Sequence, residues 1–259
     1  MAKDFVGRSR ALSTDGFATT AQSLAVKAQE IWAVLAVETS GCGFLADRRP
    51  QILFERHIFH RLTGGRFDDG DISDPKPGGY GPGGAAQYER LARAVDKDRG
   101  AALESTSWGL GQIMGENFAA AGFADVETMV AAMIDSEDSQ LEAVASFLKA
   151  SHLDLPLHAH DWASFAAGYN GPSYAKNRYD TQLQGEFQKY SFGVMPDLDL
   201  RAAQLYLTFL GFHPGPVDGI LGKLTSAALV DFQTQHGLDA TGEVDAAVLE
   251  ALAGAALPA

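Results

Sequence analysis

The chain has 259 residues, 46% hydrophobic and 20% charged, which is enough apolar material for one large folded unit or two smaller ones and excludes global disorder. A formal net charge of −13 at pH 7, with no basic run, excludes nucleic acid as a partner and argues against stable association with anionic membranes. Cys42 is the only cysteine, so neither a disulfide framework nor a thiolate metal cluster is available.

The N-terminal run Met1-Ala2-Lys3-Asp4-Phe5 lacks the long apolar core of a secretory signal, and no stretch is long and apolar enough to span a membrane. Synthesis in the cytoplasm is expected, with any work outside the membrane needing another route out. Residues 20–39 predict an amphipathic helix, with Leu24, Ala28, Ile31 and Leu35 at helical spacing and Gly41 and Gly43 placed to end it. Glu38 lies on the apolar face of its last turn. Burial and the negative end of the helix dipole both disfavour an ionised carboxylate there, so its pKa should rise, as a general acid requires. The alternative has Glu38 turning outward at a frayed helix end. Cys42 follows in a glycine-rich turn, as a small apolar filler or, given a nearby base, a nucleophile.

Glu55 sits among Leu53, Phe54 and Ile58, which predict partial burial; the alternative is a salt bridge to Arg56 or Arg61. Residues 66–84 form a loop dense in Asp, Gly and Pro, the pattern of a binding lip. Its Asp68-Asp69-Gly70-Asp71 lacks the spaced oxygens and closing Glu of a calcium loop, and the histidines at 57, 60, 152, 158 and 160 lack the fixed spacing of zinc ligands. Neither a metal nor a cofactor is expected. Further helices are expected over 85–97, 126–136, 137–150, 161–169 and 174–190. Gly109 and Gly111, between Ser107 and Gly115, let backbone approach a ligand closely.

A seam is expected near 191–199. Beyond it come short helices over 200–211, 224–236 and 245–254. Two glycine turns, Val217-Asp218-Gly219 and Ala240-Thr241-Gly242, echo each other as a small internal repeat. The whole reads as mainly α, with domains at 1–192 and 197–259.

Three segments taken in order, Val37-Glu38-Thr39-Ser40-Gly41, Ser107-Trp108-Gly109-Leu110-Gly111-Gln112-Ile113-Met114-Gly115 and Phe165-Ala166-Ala167-Gly168-Tyr169-Asn170-Gly171-Pro172, resemble the lysozyme-like fold of goose-type lysozymes and soluble lytic transglycosylases. With Ile52-Leu53-Phe54-Glu55-Arg56-His57-Ile58-Phe59 and Pro75-Lys76-Pro77-Gly78-Gly79-Tyr80, the resemblance is closer to the N-acetylmuramidase family of phage endolysins, over about 29–190. Gly111 departs from it, standing where these families carry Met or Phe, which would loosen one wall of the cleft. The resemblance implies Glu38 as general acid and Glu55 as second carboxylate, serving as base for water or as charge stabiliser. It also implies that Gln112, Tyr169 and Asn170 line the cleft and bond the acetamido groups, although Tyr169 also fits a plain core role. Glu104-Ser105 imitates the Glu-Ser pair of transglycosylases, a rival for the acid that lies closer to Gln112 than those families place it, and reads as a second-tier cleft or structural residue. Trp108 fits either sugar stacking or packing.

Residues 198–253 resemble the three-helix peptidoglycan-binding domain of wall hydrolases, through Gly211-Phe212, Gly215-Pro216-Val217-Asp218-Gly219, Thr225, Phe232-Gln233 and Thr241-Gly242. The implied activity is cleavage of the β-1,4 bond between N-acetylmuramic acid and N-acetylglucosamine in peptidoglycan glycan strands, by a monomer reaching the periplasm through a phage lysis lesion. Anchoring would matter most on intact wall and least on soluble fragments. The alternatives are a lytic transglycosylase giving 1,6-anhydro products, a non-catalytic wall-binding protein and a zinc amidase.

Overall fold

The apolar stripe expected over 20–39 folds as two helices. α1 (Thr14–Leu24) starts at Ser13, whose hydroxyl accepts from Gly16 N, and stops at Ala25, which takes a left-handed conformation with φ 53°. Ala25 N and Val26 N close onto the carbonyls of Gln22 and Ala21, a Schellman-type end that turns the chain before α2 (Ala28–Thr39) begins. The Glu30 carboxylate then accepts from Lys27 N at 3.1 Å and starts the second helix. The computed structural model describes residues 5–39, 42–171 and 174–258. Residues 1–4, Ser40, Gly41 (expected to close the helix) and Pro172 of the third motif lie outside the described residues.

Between α2 and the next long helices lies a small sheet that the sequence pattern did not reveal. β1 (Ile52–Phe54), β2 (Thr106–Trp108) and β3 (Ile113–Met114) pair antiparallel in that order, Ile52 opposite Trp108 and Ser107 opposite Met114. Strands of two or three mostly buried residues are too short for alternation to register. α4 (Gln87–Val95) packs on β1 and α5 (Arg99–Glu104) on β2, with α3 (Arg56–Thr63) against α5. α6 (Val126–Met133), α7 (Glu137–Ala150), α8 (Asp154–His158) and α9 (Trp162–Tyr169) follow. The helix expected over 174–190 is split by Arg178, φ 55°, into α10 (Tyr174–Asn177) and α11 (Tyr179–Phe192). α2 packs along α11, which holds the end of α2 against the body of the protein. Phe54, Phe59, Leu91, Leu103, Trp108 and Phe165 fill the main core.

After α11 the chain passes to α12 (Leu198–Phe209), α13 (Lys223–Gln235) and α14 (Ala246–Ala256). Their core of Leu205, Leu229, Phe232 and Leu252 is completed by Ala11 and Phe44 from the other end of the sequence. The Phe44 ring meets Phe209 edge-on at 6.3 Å, and Ala11 N donates to the Tyr206 hydroxyl. The smaller core therefore borrows apolar residues from the larger half.

The internal repeat has a physical basis in two buried glutamines. Gln204 Oε1 accepts from Asp218 N and Gly219 N at 3.0 and 2.8 Å, while its Nε2 donates to Asp218, Ile220 and Thr225. One repeat later, Gln233 Oε1 accepts from Gly242 N at 2.9 Å and its Nε2 donates to Thr241 Oγ1 and Glu243 O. Each glutamine thus satisfies a loop that carries no secondary structure of its own. Gly219 must be glycine: its φ is 71°, and a Cβ would stand 2.6 Å from Asp197 O. Replacing Gln204 with Leu strands the buried N–H of Gly219 and the partly buried N–H of Asp218. Urea unfolding of that variant is expected to register a loss of about 2–4 kcal/mol; a change under about 0.5 kcal/mol would mean that the glutamine does not hold the loop.

Candidate active site

Glu38 sits in the last turn of α2 and is half-buried. Asn170, which caps the C-terminus of α9, donates Nδ2 to Glu38 Oε1 at 3.0 Å. The frayed, outward alternative is thus not what the chain adopts. Two effects oppose each other at this carboxyl. Burial raises the Glu38 pKa, the Asn170 hydrogen bond lowers it, and burial wins: the value is pushed up to about 7. Asn170 Oδ1 is itself buried and has no hydrogen-bond partner among the described residues, an acceptor left over for a ligand N–H. Tyr169, the neighbouring residue, donates its hydroxyl to Gly111 O at 2.6 Å and stacks on Phe165. Its phenol is held well above its usual pKa, first by burial and then by the charge of Glu38.

Glu55 is the residue before α3. Neither Arg56 nor Arg61 pairs with it: Arg56 donates to Gly70 O at 2.7 Å and Lys76 O at 3.2 Å, and Arg61 pairs with Glu116. Its Oε2 lies 3.1 Å from His57 Nδ1, but the two are misaligned, so both atoms are buried without a hydrogen bond among the described residues. Tyr80 reaches Glu55 from the 66–84 loop. Burial, then the charge of Glu55 and a hydrogen bond to it, push the Tyr80 phenol up to about 12. The loop carrying Tyr80 is ordered by cations and an amide beneath it. Arg90 Nη1 and Gln87 Nε2 donate to Tyr80 O at 2.9 and 2.7 Å, and Asp71 is gripped by Arg90 and Arg93. Asp69 Oδ1 accepts from Asp71 N and Ile72 N, closing the acidic run on itself.

A line of electrostatic neighbours joins the two carboxyls. Tyr179, the first residue of α11, has its pKa raised by burial and then by Glu38, and Tyr80 responds to both Glu55 and Tyr179. Tyr179 thus feels the charge of Glu38 and Tyr80 that of Glu55, while His57 Nδ1 lies 3.1 Å from Glu55 Oε2. In the sequence His57 reads only as one of the histidines without zinc-ligand spacing, Tyr179 carries no signal, and Tyr80, which ends the Pro75-Lys76-Pro77-Gly78-Gly79-Tyr80 motif, is the available one.

Other candidates stand further back. Gln112 occupies the β2–β3 turn at φ 50° and spends its side chain internally, donating to Gly109 O and Gln51 O and accepting from Ser107. Trp108 has no exposed surface and donates its ring N–H to Leu103 O. The stacking role is thereby corrected to packing, since no face of the ring is open to a sugar. Glu104, at the end of α5, has its pKa raised by burial and then by Glu116 and Asp98, and neither Glu38 nor Glu55 figures among its charged neighbours. Gly111 does not loosen the cleft wall as expected. A Cβ there would stand 2.1 Å from Val144 Cγ2 and 3.0 Å from the Tyr169 hydroxyl, so those side chains already occupy the space. Cys42 donates to Phe44 O, and burial pushes its thiol up to about 12, the opposite of an activated nucleophile. His60 pairs with Asp68 and His160 with Glu30, and among the described residues no three His, Cys, Asp or Glu side chains converge as metal ligands.

A desolvated carboxyl held by an asparagine is chemically suited to protonating a leaving-group oxygen. The N-acetylmuramidase family matches residues 27–191, and a peptidoglycan binding domain family matches residues 196–252. The crystal structure of Burkholderia AP3 phage endolysin is similar over 70% of this chain and 71% of that chain, with 42% identity and a TM-score of 0.64. A search of curated proteins gave no match. The chain belongs to the N-acetylmuramidase family. It is a peptidoglycan hydrolase of the glycoside hydrolase class, mainly α, with the helical peptidoglycan-binding unit on the C-terminal side.

The raised Glu38 pKa links to stability with a definite sign. The folded state holds this proton up to about pH 7, whereas the unfolded chain releases it near 4.5. The stabilisation is therefore present below pH 4.5 and is lost as pH rises through 7. Glu38→Gln, neutral at every pH, is expected to match wild type at pH 4 and to exceed it by about 2–3 kcal/mol at pH 9 in chemical denaturation. An equal difference at both pH values would contradict the desolvated carboxyl.

Proposed function

We propose that this protein is an endolysin-type muramidase in which Glu38 protonates the glycosidic oxygen between N-acetylmuramic acid and N-acetylglucosamine. The observation that carries the reading is the desolvated Glu38 carboxyl, held by Asn170 and still protonated near neutrality. Glu55 then serves as base for the attacking water or stabilises the developing positive charge, and the Tyr80 hydroxyl orients it. The free Oδ1 of Asn170 accepts from an acetamido N–H. Residues 1–192 act as the catalytic unit and 197–259 as the wall anchor.

The likeness to a phage endolysin supports a role in lysis from within, on the wall side of the membrane, after permeabilisation of that membrane. None of the helices among the described residues is long and apolar enough to cross a bilayer. We take the active species to be a monomer that contacts glycan strands and forms no stable membrane association.

Digestion of purified sacculi with wild type, Glu38→Gln and Glu55→Gln, followed by mass spectrometry of the muropeptides before and after borohydride reduction, tests the reading. Reducible N-acetylmuramic ends from wild type are expected, with losses of at least about a thousandfold in Glu38→Gln and about a hundredfold in Glu55→Gln, in line with acid–base magnitudes. Non-reducible products lighter by one water would identify a transglycosylase. Intact glycan after wild-type digestion would leave only wall binding.

A further inference from the structure

The peptidoglycan-binding half contributes one charged group to the interior of the catalytic half. Arg201, on α12, is fully buried. Its Nη1 and Nη2 lie 2.6 and 2.8 Å from Oε2 and Oε1 of Glu137, the first residue of α7, which is fully buried too. The same carboxylate accepts Leu12 N at 2.9 Å and Gly43 N at 2.8 Å. Four segments distant in sequence therefore meet on one carboxylate, and a guanidinium from the wall-binding half balances its charge.

Two routes lead from this carboxylate to the catalytic acid. One runs back along the chain from Gly43 to Glu38, only five residues away. Gly43 O also accepts from Gln51 N at 2.8 Å, and Gln51 O accepts from Gly109 N, which ties this exit loop to the β2–β3 turn. The second route runs through α7. Gln140, one turn after Glu137, accepts from Leu110 N at 2.7 Å; the adjacent Gly111 O receives the Tyr169 hydroxyl, and Asn170 beside it holds Glu38. The first link is the chain itself, and the second is a path of hydrogen-bonded and covalent neighbours, all among the described residues, to the elements that position the acid.

We infer that Arg201 is a positioning residue for catalysis, so that the C-terminal unit completes the active site as well as tethering the enzyme to the wall. The inference rests on the muramidase reading above. A pure tether raises local substrate concentration and leaves turnover of soluble strands untouched. Removing Arg201 instead leaves Glu137 as a buried carboxylate without its counter-charge, and the loops hung on it must shift to solvate it. A displacement on the order of 1 Å at a catalytic group is enough to cost about a hundredfold in rate.

The test uses the full chain and soluble, uncrosslinked glycan strands stripped of peptide, for which wall anchoring is irrelevant. Arg201→Met is expected to lower kcat at least tenfold with KM within about threefold, and to move the alkaline limb of the pH profile away from wild type. Glu137→Gln/Arg201→Met, which removes the stranded charge with its partner, is expected to recover kcat to within about fivefold. A merely structural role would lower the melting temperature but leave kcat and the pH profile of the folded enzyme unchanged, and that result overturns the inference. If Arg201→Met does not fold by circular dichroism, Arg201→Lys decides: it keeps the charge but not the fork, so reduced kcat supports the inference and wild-type kcat rejects it. Absence of cleavage by wild type would instead remove the muramidase reading itself.

Discussion

Much of this structure hangs on the buried carboxylate of Glu137. Glutamate at the start of a helix is favoured by the dipole, but full burial would normally be prohibitive for the ionised form. Here four donors surround it: two from Arg201 and the backbone N–H groups of Leu12 and Gly43. Satisfied in this way it fixes the segment at Leu12, the backbone at Gly43, the start of α7 and the first helix of the wall-binding unit relative to one another. Phe44 and Ala11 then extend the same junction as apolar packing into the core of α12–α14. Polar register and hydrophobic closure act together at one place, close in sequence to the end of α2, which carries Glu38.

The site uses opposite environments for its two carboxyls. Glu38 is placed where burial outweighs its one hydrogen bond, so it stays protonated near neutrality. Glu55 stands at the start of α3, beneath a lip whose Tyr80 turns a hydroxyl toward it. The lip is costly to order, since nine glycines, prolines and aspartates from Asp68 to Gly79 favour many conformations. The guanidinium groups of Arg56 and Arg90, together with Gln87, offset that entropy by capturing its carbonyls. A glycan strand entering the cleft would thus meet a wall already in place rather than one that must be assembled on binding.

How much of this was legible in the sequence depends on the length scale of each signal. Long periodic helices such as α7, Glu137–Ala150, were readable to the residue, and so was the placement of Glu38 on an apolar face near a helix end. The break at Ala25 was not, because its cause is a left-handed backbone at a residue with no intrinsic preference for it. The sheet escaped through shortness. Trp108 and Gln112 illustrate a different limit. Residue type suggested ligand contact, but whether a tryptophan faces the cleft or the core is settled by which strand neighbours cover it. Gly111 is instructive in the same way: its missing side chain looked like an opening, yet Val144 and Tyr169 fill the space. The pairing of Arg201 with Glu137 spans 64 residues and joins the two halves of the chain, so no local pattern announces it.

The proposed acid catalysis depends on one physical quantity, the proton affinity of the Glu38 carboxyl in the folded protein. A carbon-13 NMR titration of side-chain carboxyls, with the Glu38 signal assigned by its disappearance in Glu38→Gln, measures it directly. A midpoint near 7 is expected, rising further in Asn170→Ala, because that hydrogen bond favours the ionised form. A midpoint near 4.5, indistinguishable from an exposed glutamate, would contradict Glu38 as the acid.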